Sequence, residues 1–198
     1  LGDVYKRQAW SIIISSLFTL FVSVPFLPAL TTISQRMATG IDSFALLAIP
    51  FFILSGELMN SGGVAHRLVA FAKTLVGFLP GGLALINIIS AMLMGSVAGS
   101  AMASASAMGS ILGPEMEKEG YSRGFGVAIN ITSATTGLVI PPSNILIVYS
   151  LASGGASIAA LFLAGYIPGI LTGLFLMIVA MLWAKKKNFK TGKREPLK

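Results

Sequence analysis

The chain has 198 residues, 55% of them apolar and 11% charged, a net charge of +7 and no cysteine, with a mean hydropathy of +0.84. That balance excludes a soluble domain, and the absent cysteines exclude disulfides, thiolate metal sites and cysteine catalysis. No charge falls between Lys73 and Glu115 or between Arg123 and Lys185, runs far longer than the ~20 residues one membrane crossing requires, so the chain reads as an all-α integral membrane protein.

The first stretch, residues 1–8, bears no relation to the apolar run after it. Its Asp3 to Gln8 portion resembles a translated sequencing-library adapter, so these residues are set aside from fold reasoning, and the natural N-terminus is expected to differ. Residues 9–30 form the first apolar run, with Trp10 as an interface anchor and Pro25 and Pro28 near the far end; they are expected to span once, with a bend. A polar connection follows over residues 31–40, carrying Arg36. Asp42 is a candidate N-cap for a second span over residues 43–60, with Pro50 inside it. Glu57 lies in its last turns. A carboxylate at membrane depth is a functional candidate, whereas one near the interface is simply solvated.

Over residues 64–79 the pattern changes. Val64, Leu68, Phe71, Leu75 and Phe78 recur at helical spacing, while His66, Arg67, Lys73 and Thr74 gather opposite, which describes an amphipathic helix on the membrane surface. His66 has no second histidine or carboxylate cluster beside it and reads as a solvated residue.

Residues 83–113 would measure ~46 Å as one straight helix, against a ~30 Å hydrocarbon core. Their middle, Met94 to Ala101, is rich in glycine, serine and alanine. Two readings fit: a re-entrant hairpin of two ~20 Å arms, or a tilted span packed through Ala101, Ala105 and Gly109. Basic residues on both flanks suit a hairpin that enters and leaves on one side. Residues 115–123 form a mixed-charge aqueous loop.

Residues 124–153 hold the sharpest signal. Pro141 and Pro142 lack the N–H groups that would pair with the carbonyls of Gly137 and Leu138, and each disfavours helix in the residue before it. Ser143 or Asn144 can then cap a new half-helix. In a bilayer, carbonyls freed in this way must be buried in protein or line a wet cavity; otherwise the prolines only kink the helix for packing. Free carbonyls beside a helix N-terminus suit a small cation and an anionic group respectively. A last span covers residues 157–183, and residues 184–198 form a basic tail, Lys185 to Lys198, which reads as cytoplasmic. Counting back from it puts the surface helix and the hairpin mouth on the cytoplasmic side.

Several stretches carry a family resemblance: Ile41 to Asn60, Gly95 to Ala101, Gly137 with Ile140-Pro141-Pro142-Ser143, and Ala160 to Gly165. Together, over about residues 36–187, they resemble the large permease subunit of tripartite ATP-independent periplasmic (TRAP) transporters, the DctM-like proteins. The resemblance implies one repeat of an inverted-repeat elevator-type carrier, in which a hairpin and a broken helix from each repeat enclose the site. It implies uptake of organic acids such as C4-dicarboxylates or sialic acid across the bacterial inner membrane, with sodium as coupling ion and no other cofactor. The implied partners are a periplasmic substrate-binding protein and a small DctQ-like membrane subunit, with no nucleic acid. Against the family pattern the chain looks like a first half, expected to be inactive alone.

Carried over by position, Ser96, Gly99 and Ser100 at the hairpin tip and Gly137, Pro141, Pro142 and Ser143 at the break would build a sodium site. Thr135, Thr136 and Asn144 would join as ligands or substrate contacts. Ser104 stands where many relatives carry Asp, so it offers at most a hydroxyl. Two other functions are weighed: a divalent-anion/sodium symporter of another hairpin-containing family, and a structural membrane subunit, which predicts a straight helix over residues 83–113. An intramembrane enzyme would need paired acid and base groups or a metal cluster at membrane depth, and the sequence offers neither.

Overall fold

The structure is a computed structural model that describes residues 2–42, 44–187 and 189. Most of the basic tail, including Lys190, Lys193, Arg194 and Lys198, therefore lies outside the described residues. Every extended element among those described is helical, as expected for an all-α membrane protein, and the chain packs as two units, residues 1–46 and 47–198.

The first unit holds α1 (Gly2–Ser23) and α2 (Phe26–Ile41). Here the sequence expectation is corrected. Residues 9–30 are not one bent span followed by a polar connection; the helix stops at Ser23 and a second runs on to Ile41. Pro25 is the cause: it sits at φ −54°, ψ 148° ahead of α2, has no N–H to continue α1, and restricts Val24 to extended backbone. Pro28 falls in the first turn of α2, where a missing N–H costs nothing. The polar residues of α2 remain helical because Thr31, Thr32, Ser34 and Thr39 donate their hydroxyls to carbonyls one turn earlier, which satisfies them without water. Asp42 caps the C-terminal end of α2 instead of opening the next helix; the residue before that helix, Ser43, lies outside the described residues.

The second unit is built around a helical hairpin. α3 (Phe44–Ser61) and α4 (Val64–Val76) are separated by a 71° bend, made possible by Gly63 at φ +76°. α4 buries Ala65, Val69 and Ala72 against the hairpin and leaves Phe71, Leu75 and Phe78 exposed. Its apolar stripe is thus only partly its packed face: Leu68 packs on the core, while Phe71 and Leu75 point outward. His66 and Glu57 are both exposed.

The hairpin consists of α5 (Gly82–Ala98) and α6 (Ala101–Lys118). A single straight or tilted helix over residues 83–113 is therefore excluded. The arms have 17 and 18 residues, ~26 Å each at 1.5 Å per residue, longer than the ~20 Å expected, because the turn takes only Gly99 and Ser100 while Met94 to Ala98 stay helical. The second arm also absorbs Glu115, Glu117 and Lys118, which the sequence assigns to an aqueous loop. Lys73 of α4 meets Glu115 at 3.0 Å, fastening α4 to the second arm of the hairpin.

Behind the hairpin run α7 (Arg123–Ala134), a 3₁₀ turn over Thr135–Leu138, and α8 (Asn144–Ala152). The Pro141–Pro142 peptide is cis. α9 (Ile158–Lys186) closes the unit and is, among the described residues, the one helix long and apolar enough to cross a bilayer by itself. It buries Gly165, Gly169, Gly173, Ala180 and Ala184 while exposing Leu163, Ile167, Leu171 and Phe175. Small residues inward and large ones outward reverse the soluble pattern, as befits a helix whose outer solvent is lipid.

Candidate functional site

The site begins at two places where helix cannot continue. At the hairpin tip Gly99 adopts φ +61° and its N–H donates to the Gly95 carbonyl at 2.8 Å, closing α5. Ser100 follows in extended backbone and its Oγ accepts the Ala103 N–H, opening α6. At the break the chain is interrupted by Pro141 and Pro142, and Ser143 repeats the device: extended backbone, with Oγ accepting the Leu146 N–H to open α8. A serine caps each new helix.

These two interruptions meet. The Asn144 N–H donates across to the Gly99 carbonyl at 3.5 Å, and a Cβ on Gly99 would stand 3.1 Å from the Pro142 carbonyl oxygen. One turn away, α5 and the 3₁₀ turn cross in backbone contact: a Cβ on Gly95 would collide with the Gly137 Cα. The N-terminal ends of α6 and α8 therefore come together with the C-terminal ends of α5 and of the 3₁₀ turn. Helix N-termini carry partial positive charge and C-termini partial negative charge, so one junction offers N–H groups to an anion and carbonyls to a cation.

The side chains divide into those at the junction and those held elsewhere. Asn144 lies at the junction, its Oδ1 buried and without a hydrogen-bond partner, 3.5 Å from where a Gly99 Cβ would be. Ser143 is buried and its hydroxyl donates to the Leu138 carbonyl. One carbonyl expected to be free thus has a partner. Pro141 packs toward Gly165 of α9. Ser96 donates to Leu93 within its own helix. Ser104 is fully buried between the hairpin arms, donating to the Ala91 carbonyl at 3.1 Å. Thr136 is buried with its hydroxyl on the Ser133 carbonyl, while Thr135 is exposed and bonds to Thr132. No cluster of three or more His, Cys, Asp or Glu exists among the described residues, so the junction offers neutral oxygens only. Such a set suits a hard monovalent cation and provides no acid or base.

A second polar group was missed in the sequence. Asn87 and Ser90 on α5 and Asn130 and Ser133 on α7 are the members: Ser133 donates to Asn87 Oδ1 at 3.2 Å, and Asn130 Nδ2 donates to the Ala105 carbonyl at 2.8 Å. The signal was present, since each pair is spaced i, i+3 on one helix face. These bonds hold α7 on the hairpin and leave the Ser90 hydroxyl and Asn130 Oδ1 unpaired.

The sequence profile of a family described as "Tripartite ATP-independent periplasmic transporter, DctM component" matches residues 6–198. Among individual relatives, the chain is similar to the "Uncharacterized protein YgiK" of Salmonella typhimurium, 56% identical over 91% of this chain and 42% of the relative. It is similar to the "Isethionate TRAP transporter permease protein DctMQ" of Oleidesulfovibrio alaskensis, 42% identical over 82% of this chain and 26% of the relative. It is also similar to the "Sialic acid TRAP transporter large permease protein SiaM" of Vibrio cholerae, 38% identical over 90% of this chain and 44% of the relative. The chain thus spans less than half the length of these relatives.

Proposed function

The chain belongs to the DctM component family of tripartite ATP-independent periplasmic transporters, and we propose that it supplies one half of the site of a multi-pass bacterial inner-membrane permease that imports organic anions with sodium. One observation carries this reading: the helix ends at the hairpin tip and the break converge, with the Asn144 N–H on the Gly99 carbonyl and Asn144 Oδ1 buried and unpaired beside them. Sodium would be carried as coupling ion by the oxygens of the junction, Asn144 Oδ1 and nearby carbonyls such as that of Pro142, with the hydroxyls of Ser100 and Ser143 within its reach. The N-terminal ends of α6 and α8 would face the anionic group of the substrate. Relatives named for C4-dicarboxylate, sialic acid and isethionate share an organic anion as cargo, and the proposal takes that class for this chain. A periplasmic binding protein would deliver it, and a small membrane subunit would complete the permease.

The mechanism is mechanical, with no covalent step. The cation would tie the hairpin tip to the break, the substrate would bind against the ordered junction, and the two interruptions would move together because their backbones touch. Full-length protein reconstituted with its binding protein tests this by uptake of labelled succinate and sialic acid, with and without an inward sodium gradient. Sodium-dependent uptake of either acid is expected, with a loss of tenfold or more in Ser100→Ala and Pro142→Ala. Uptake indifferent to sodium, or variants that keep normal sodium dependence, would reject the assigned site.

A further inference from the structure

Away from the junction, at the end of α9 that carries the lysines, α7 and α9 diverge and leave a groove of about 700 Å³. Its floor is Ile129 and Ala180, both buried, and Ala128, Leu176 and Val179 form much of its walls. At one end stand Ser122, Trp183 and Lys187. We propose that this groove binds one acyl chain of an anionic phospholipid of the leaflet that holds the C-terminal end of α9, with the headgroup phosphate on Lys187.

Three observations select that occupant. First, length: from Ser122 to Thr132 along α7, or from Leu176 to Lys187 along α9, is about 15–17 Å, which matches half of a ~30 Å hydrocarbon core. The groove is one leaflet deep. Second, polarity: its body is apolar and exposed on a helix that faces lipid, while its mouth carries a tryptophan and a lysine, the pairing found at membrane interfaces. Third, charge: Lys187 stands at this mouth, Lys185 and Lys186 lie in the last turn of α9 before it, and none of the three pairs with a carboxylate among the described residues. Of the carboxylates in the adjoining α6–α7 segment, Glu115 is engaged by Lys73 at 3.0 Å and Glu117 by Arg123 at 3.8 Å, leaving Glu119. A zwitterionic headgroup would gain less from that surplus than an anionic one.

The inference stands apart from the ion site and does not depend on what the protein carries. Native mass spectrometry of the full-length protein, released from mixed phosphatidylglycerol and phosphatidylcholine vesicles, reads it directly. At least one phosphatidylglycerol is expected to be retained over phosphatidylcholine by fivefold or more. The preference should fall to near unity in Lys187→Gln. In Ala128→Phe, which fills the groove without touching the lysines, retention of both lipids should fall. Equal retention of the two lipids by the wild type would overturn the proposal. So would Ala128→Phe retaining phosphatidylglycerol as the wild type does; if that variant also melts earlier, protein and not lipid fills the groove. Ser122→Ala, at the mouth but uncharged, should keep the preference, and its loss there would assign selection to the helix cap.

Discussion

Gly95 and Gly137 set the separation of the hairpin from the broken helix, because nothing but backbone stands between them. A methyl group at Gly95 would have to displace the Gly137 Cα, which cannot rotate away as a side chain can. Gly95→Ala is expected to cost about 1–3 kcal/mol by overpacking and to lower the melting temperature of the detergent-purified protein. Gly113→Ala is the control, since no atom lies within 4 Å of its Cβ position, and it should be neutral or stabilising by up to ~1 kcal/mol through helix propensity. If the two variants melt alike, the close crossing is not a constraint. Tyr121, between α6 and α7, is 3% exposed and stacks on Phe189 at 4.2 Å. Burial, then the Glu119 charge, pushes its phenol up to about 12. Its unfolded value is about 10, so the folded state holds the proton more tightly. The stability this confers is complete below pH 10 and is lost as the pH rises through 12. Tyr121→Phe should flatten the fall in melting temperature between pH 10 and 12; an unchanged fall would show that the ring does not resist ionisation.

At the scale of elements, α9 makes a graded prediction. A Cβ on Gly165 would meet the Val139 carbonyl oxygen at 2.5 Å, whereas one on Gly173 would collide with the thioether of Met92. Backbone cannot yield, but an unbranched methionine can change rotamer. Gly165→Ala is therefore expected to destabilise by about 1–3 kcal/mol and Gly173→Ala by less than ~1.5 kcal/mol, ranked by thermal melting; the reverse order would refute backbone contact at Gly165. The elements were unevenly legible. Pro141 and Pro142 announced the break and Ser143 the restart, because both act locally. The hairpin turn was read as Met94 to Ala101, yet only Gly99 and Ser100 turn. Small residues serve tight turns and close helix crossings alike, and Gly95 serves the crossing, whose partner lies 42 residues further on (137 − 95). The helical course of residues 31–41 was not legible, because back-bonded hydroxyls make a polar stretch helical while composition describes it as a connection.

For the whole molecule, membrane class followed from composition, since hydrophobicity and the absence of charge are sums over the chain. Which face of each helix turns inward did not follow, because in lipid both faces are apolar and residue size does most to separate them; the fully buried residues of α9 are all alanine and glycine. The two stretches of the candidate site were legible as lists of residues, and their meeting at Gly99 and Asn144 was not, because it depends on how α5 packs against α7 and the 3₁₀ turn. Long-range polar contacts also govern how α4 is held. Lys73–Glu115, at 28% and 43% side-chain exposure, is a partly exposed pair worth about 0.2–1 kcal/mol. Glu115→Lys should lower the melting temperature by about 1–4 °C at low salt and much less at 1 M salt. The exchanged pair Lys73→Glu with Glu115→Lys should recover the loss; failure to recover would assign the effect to something other than charge. The contact of Gly95 with Gly137 has a further consequence. A joint made of side chains has slack, since rotamers can be exchanged and the spacing reset, but a joint made of two main chains has no adjustable parts. Gly99 and Pro142 follow within a few residues of this joint, so a carrier built on it would hold their oxygens at a spacing that no side-chain rotamer can reset.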